Sequence, residues 1–230
     1  MHIGILQAGH TPEHLIPTRG DMDAMFRRLL DGQGFTFTSW DVENMVFPPS
    51  VTAADGWLIT GSKHGAYEDH AFIAPLEALI REAFAADVPV VGICFGHQIV
   101  ATALGGEVVK FDGGWSVGRR EYHTTSGATL ALNAWHQDQV TRLPDGATAL
   151  ASNAFCDNAI VAYGRNAFTV QPHPEFENDL IAEYVAERRG TGTYPDDRMD
   201  AAAEGTRHPI DNARLANAIA GFFRTRAADV

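Results

Sequence analysis

The segment that most restricts the fold is Pro89-Val90-Val91-Gly92-Ile93-Cys94-Phe95-Gly96-His97-Gln98. Its first five residues are an apolar run of strand length, of the kind buried on both faces in parallel sheets. A helical pattern begins immediately afterwards and ends at Leu104, before Gly105-Gly106. Strand therefore turns into helix with only Cys94 between them. A turn that sharp needs small flanking residues, and Gly92 and Gly96 supply them. Gly-x-nucleophile-x-Gly at such a junction is the nucleophile elbow, here with Cys in place of Ser. The bend lifts the sulfur into a cleft and sets it at a helix N-terminus, where unpaired N–H groups and the helix dipole suit an anion. A free Cys is most often a small buried hydrophobe. Cys156, in Asn153-Ala154-Phe155-Cys156-Asp157, lacks the elbow's setting and is expected to be structural.

The pattern around the elbow alternates strand and helix. Ile3 to Gln7, Phe35 to Trp40 and Trp57 to Thr60 read as strands. Asp21 to Leu30 reads as an amphipathic helix, with Met22, Met25, Phe26, Leu29 and Leu30 at helical spacing. A further helix is expected from about Ala71 to Ala86, with Pro75 tolerated in its first turn. From Glu107 to Leu132 short β-type runs are broken by Asp112-Gly113-Gly114 and Ser126-Gly127, the signature of antiparallel hairpins. Short strands fit Ala147 to Ser152, Ala159 to Tyr163 and Ala167 to Val170, and helices fit Phe176 to Arg188 and Asp211 to Arg224. The expected fold is α/β: a mostly parallel, doubly wound sheet flanked by helices, with a small antiparallel extension. One domain is expected over 1–190, then a loop over 191–208, then a C-terminal helix within 209–230 packed on the same domain. Sites in such sheets lie at the carboxyl ends of the parallel strands, after Leu6, Thr60 and Ile93.

Charge and composition remove whole classes of function. The chain has 230 residues, with 17 Lys+Arg against 29 Asp+Glu, a formal charge of −12. That balance disfavours nucleic acid and anionic lipid as partners. An apolar content of 45% argues against disorder. No apolar run is long enough to span a membrane, and the N-terminal residues lack a signal-peptide pattern. Two cysteines make no disulfide framework, so a reducing cytoplasm is the expected setting. Ten histidines fall into no zinc-type spacing, and Gly56 to Lys63 fails as a phosphate-binding loop because Ser and Lys are transposed. No cofactor and no metal is expected.

A cysteine nucleophile needs a base, and the base needs a group to hold it. Gln171-Pro172-His173-Pro174-Glu175 follows the strand Ala167 to Val170. Pro174 disfavours the helical region for His173. In an extended segment positions i and i+2 face the same way, which puts Glu175 beside His173. The chain order Cys, His, Glu differs from the nucleophile, acid, His order of α/β-hydrolases.

Gly92-Ile93-Cys94-Phe95-Gly96-His97-Gln98 together with Gln171-Pro172-His173-Pro174-Glu175 resembles the class I glutamine amidotransferases. The likeness covers about residues 1–190. Within that family the chain is similar to the stand-alone, GMP-synthase-like branch that includes plant γ-glutamyl peptidases. Asp21 to Leu30, Tyr67-Glu68-Asp69 and Trp135-His136-Gln137-Asp138 fit that branch. Thr60-Gly61-Ser62-Lys63 resembles the family's Gly-Gly-Pro loop, with Ser62 for the second Gly and Lys63 for the Pro. The resemblance implies a γ-glutamyl thioester on Cys94, with His173 and Glu175 completing the catalytic set. It implies an oxyanion held by backbone N–H groups of Phe95 and of Gly61 or Ser62. Gln98 in the first turn of the helix, Glu121, Tyr122 and His123 on the antiparallel extension, and His136 are the candidate substrate contacts. Trp57 and Trp135 are expected in the core.

Three functions follow from this reading. The first is a stand-alone γ-glutamyl peptidase or hydrolase. The second is a glutaminase that hands ammonia to a partner synthase; no nucleotide-binding domain is visible in the chain itself. The third, from another class, is a non-catalytic or redox-sensing module that retains the elbow. The substrate in the first two is a small molecule such as glutamine or a γ-glutamyl amine or peptide.

Overall fold

The apolar runs of the sequence become the centre of one nine-stranded sheet, in a computed structural model that describes residues 1–230. In chain order the elements are β1 (His2–Gln7), α1 (Ile16–Arg19), α2 (Met22–Leu29), β2 (Thr36–Asp41), β3 (Gly56–Ile59), α3 (Ile73–Ala85), β4 (Val90–Ile93), α4 (Phe95–Ala103), β5 (Glu107–Lys110), β6 (Ser116–Thr124), β7 (Thr129–His136), β8 (Asp138–Arg142), β9 (Ala147–Ser152), β10 (Ile160–Tyr163), β11 (Ala167–Val170), α5 (Asn178–Arg188), α6 (Asp196–Gly205) and α7 (Asn212–Thr225). The strand order is β2-β1-β3-β4-β11-β10-β9-β6-β7. The strands from β2 to β11 run parallel. From β10 to β7 each strand is antiparallel to its neighbour, which makes up the expected extension. β5 and β8 form a separate antiparallel pair.

Period-two alternation sorts the central strands onto two cores. Ile3, Ile5, Leu58, Val91 and Phe168 face one way and pack with Phe26 of α2 and Leu215, Ile219 and Phe222 of α7. Trp57, Ile59 and Val90 face the other way, against Leu76 and Ile80 of α3 and Ile99 and Val100 of α4. Covering both faces explains why β3, β4 and β11 are buried along their whole length. Asp21 caps α2 by accepting from the Met22 N–H, which fixes the helix start one residue inside the expected span. No helix is long and apolar enough to cross a membrane.

One expectation fails here. The segment 191–208, read as a loop, contains α6. Its buried stripe is only Met199 and Ala202, too slight for periodicity to reveal among the acidic residues and glycines around it. The helix is made by tertiary contact: Met199 and Ala202 join Val117, Trp135 and Ile181 in a third apolar cluster. The approach to β6 is close because Gly118 has no side chain. A Cβ there would lie 2.5 Å from that of Ala202, and Gly118 also has φ of 73°. Gly118→Ala is therefore expected to lower stability by about 2–4 kcal/mol, measured as the urea midpoint; an unchanged midpoint would argue against this contact.

Candidate active site

β4 ends at Ile93 and α4 begins at Phe95, so Cys94 alone makes the turn, at φ 52° and ψ −101°. The two flanking glycines allow three backbones to meet. A Cβ on Gly92 would lie 2.3 Å from the Gly96 carbonyl oxygen, and one on Gly96 would lie 2.4 Å from the Ile59 carbonyl oxygen. The Cys94 N–H donates to the Val170 carbonyl at 2.8 Å, and the Gly96 N–H to the Thr60 carbonyl at 3.2 Å. The ends of β3, β4 and β11 are thereby tied around one sulfur.

His173 follows β11. Its N–H donates to the Asn133 carbonyl at 2.8 Å, a single bridge to β7. Its Nδ1 lies 2.6 Å from Glu175 Oε1, and the two side chains are 4% and 0% exposed. An extended segment would bring the pair together through its i, i+2 geometry. The chain instead turns after His173, closed by the Phe176 N–H on the His173 carbonyl at 3.3 Å. That turn also stacks Phe176 on the imidazole, with centroids 4.0 Å apart and planes 4° from parallel.

The other side of the His173 ring meets Cys94. Burial alone would strip the proton from the imidazole, but Cys94 and Glu175 outweigh it and raise His173 to about 10. Cys156 differs: buried in the core, its thiol is pushed up to about 12 by burial. Gly61 closes a third side, since a Cβ there would lie 3.0 Å from His173 Cε1 and 3.8 Å from Cys94 Cβ. The N–H groups of Gly61 and Ser62 have no acceptor within the chain. Phe95 opens α4, where first-turn N–H groups have no intrahelical partner.

Cys94 and His173 sit in a cleft of about 800 Å³, lined also by Ser62, Gln98 and His136. Gln98 Nε2 donates to the Asp138 carbonyl at 3.0 Å and to Gln171 Oε1 at 3.1 Å, so its amide braces the floor. His136 holds the Asp138 carbonyl through Nδ1 at 3.2 Å. Burial drives its pKa down to about 3, and its Nε2 is buried without a partner. The expected contacts Glu121, Tyr122 and His123 do not line the cleft. Tyr122 is fully buried in the core, while Glu121 and His123 are exposed. The reason is register: Ser116 of β6 pairs with His136 of β7 at the cleft end, and His123 pairs with Ser152 at the far end.

Other cleft residues carry no local sequence signal. Trp115 and Tyr194 pack with ring centroids 4.7 Å apart and planes tilted by 59°, and Arg188 lies over Trp135 and Tyr184 at 5.1 and 4.0 Å. Trp135 is buried in the core as expected and reaches the cleft as well. His10 also lines the cleft, held by Asp21 at 2.6 Å. Burial lowers the pKa of His10, but Asp21, Asp41 and Glu43 together raise it above its ordinary value. The doubled use of Asp21, as helix cap and histidine partner, has no sequence signal beyond the capping position.

The chain matches the family described as Glutamine amidotransferase class-I over residues 33–187. It belongs to that family. A glutamine amidotransferase-like protein of Schizosaccharomyces pombe is 29% identical over 96% of this chain and 98% of its own length. Gamma-glutamyl peptidase 3 of Arabidopsis thaliana is 31% identical over 64% of this chain and 66% of its own. A glutamine-hydrolyzing GMP synthase component of Halobacterium salinarum is 30% identical over 75% of this chain and 93% of its own. Among solved structures, a glutamine amidotransferase of Methylobacillus flagellatus shares the fold at a TM-score of 0.76, with 23% identity over 97% of this chain and 92% of that one. In this member of the family the raised pKa of His173 depends on its neighbours. Cys94→Ser is expected to bring the His173 titration well below about 10, followed by NMR of labelled histidine; an unmoved titration would mean Cys94 is not its partner.

Proposed function

We propose that the chain is a cysteine hydrolase of γ-glutamyl amides. The observation that carries this reading is a thiol at a strained elbow beside a buried imidazole that Glu175 holds at 2.6 Å. In the first step the Cys94 sulfur attacks the γ-carbonyl carbon with its proton already held on His173. A C–S bond forms and the carbonyl opens to a tetrahedral oxyanion. The free N–H groups of Gly61 or Ser62, with that of Phe95, hold the developing charge. His173 then gives its proton to the leaving amine as the C–N bond breaks, leaving a γ-glutamyl thioester. Water attacks the thioester as His173 takes its proton, the C–S bond breaks, and the γ-carboxylate product departs with the proton left on His173 as at the start. Glu175 keeps the ring in one tautomer and stabilises the imidazolium. His136, neutral and with an unpartnered nitrogen in the cleft, and Gln98 are the substrate contacts favoured by position.

The leaving group divides two versions of this function. Similarity to γ-glutamyl peptidases supports hydrolysis by the chain alone. Similarity to a GMP synthase component supports delivery of ammonia to a synthase partner. We favour the first, because the cleft carries an aromatic wall of Trp115, Trp135 and Tyr194 that ammonia does not need. A redox-sensing role leaves the His173–Glu175 pair without a purpose.

Mass spectrometry of the purified chain, quenched during turnover of γ-glutamyl peptides and glutamine, is expected to find a γ-glutamyl increment on the peptide carrying Cys94 and none in Cys94→Ser. An increment on Cys156 would overturn the assignment. Turnover of glutamine alone, and only when a synthase is added, would favour the ammonia-delivering version. Glu175→Gln is expected to lower kcat/KM by about 10²–10⁴-fold through loss of ring orientation, read by product-release kinetics.

A further inference from the structure

The connection between β3 and α3 carries a second group of side chains that the proposed reaction does not use. His64, Glu68 and His70 each offer one ligand-type atom, and the three atoms lie within 4.8 Å of one another. Glu68 Oε2 is 2.7 Å from His70 Nε2 and 3.7 Å from His64 Nδ1. Tetrahedral zinc with bonds of ~2.1 Å sets its ligands roughly 3.4 Å apart, a spacing these two distances bracket. The chain order His64-x-x-x-Glu68-x-His70 resembles no usual metal array. A turn closed by the Glu68 N–H on the Gly65 carbonyl, at 3.0 Å, folds the three together.

A second, independent feature points to a metal. The remaining nitrogen of His64, Nε2, lies 3.0 Å from Glu43 Oε1, a carboxylate only 13% exposed. Metal-bound histidines characteristically donate their other N–H to such a carboxylate, which fixes the tautomer and leaves the inner nitrogen its lone pair. Here that inner nitrogen is Nδ1, the one facing Glu68. Lys63 lies 3.1 Å from the same Glu43 oxygen, so its charge falls on the outer carboxylate rather than among the three ligand atoms.

We propose that His64, Glu68 and His70 form a binding site for a zinc-type divalent transition-metal ion, with Glu43 as the outer carboxylate and a fourth position open to water. Two imidazoles and one carboxylate select zinc, nickel or copper over magnesium and calcium. His64 and Glu68 also line the cleft, and Ser62 belongs to the same loop. A bound ion would pin that wall of the cleft. The site stands on its own residues and does not depend on the chemistry at Cys94.

The test is calorimetric titration of zinc chloride into the Cys94→Ser chain, which removes the cleft thiol as a competing ligand. One equivalent is expected to bind, with no matching heat from magnesium chloride. Glu43→Gln is expected to weaken binding about 10–100-fold, and His70→Gln to abolish the stoichiometric phase. His70 is 37% exposed, so its replacement leaves the fold in place, checked by circular dichroism. Cobalt, substituted for zinc, is expected to give the visible bands of a tetrahedral site and to lose them in His70→Gln. Absence of a one-equivalent phase, or one that survives His70→Gln unchanged, would overturn the proposal.

Discussion

The backbone of Cys94 is one of four non-glycine positions at positive φ, and the one at which a central strand turns into a helix. A non-glycine residue at φ 52° is disfavoured by about 1–3 kcal/mol, and it persists because two neighbouring strands hold it. The hydrogen bonds from Cys94 to Val170 and from Gly96 to Thr60 join the ends of β4, β11 and β3 at one point. Thr60 extends the tie, since its hydroxyl accepts from the Ala8 N–H at 3.0 Å and its own N–H donates to Leu6. Four strand ends therefore converge on the elbow, and every cleft residue on their loops takes its position from that convergence.

Burial sets the charge states around the sulfur. His97, His136 and His173 are all buried, yet they differ because only one has charge to meet it. His97 and His136 are driven down to about 3 by burial. His97 packs its Nδ1 on the Thr169 hydroxyl at 2.8 Å, a neutral partner that cannot reverse this. His173 has Cys94 on one side and Glu175 on the other, and rises instead. In a site of low dielectric, the neighbouring charge decides which of three similar side chains carries a proton.

The cleft is assembled from segments far apart in the chain. Asp21 caps α2 while holding His10, and Glu43 holds His64 while lying near His10. Acidic side chains at one rim are thus shared among histidines. At the other rim Trp115, Trp135, Tyr184 and Tyr194 pack on one another and on Arg188. The family match over residues 33–187 takes in most of the central sheet and the elbow.

Local sequence determined what local sterics can determine. The apolar runs fixed the parallel strands, the glycines at 92 and 96 fixed the elbow, and Glu175, two residues on, placed a carboxylate within reach of His173. Each of those outcomes depends on neighbours a few residues away. Tertiary structure decided the rest. Whether the Ser116 end or the His123 end of β6 lies nearer the cleft depends on register across a hairpin and a distant strand, which alternation cannot supply. Helix α6 exists because Gly118 leaves room for Ala202. His64, Glu68 and His70 converge because a turn brings them round to Glu43 of another connection. Propensity and spacing describe a chain's own few residues, and a contact between remote ones becomes visible only when the fold has closed.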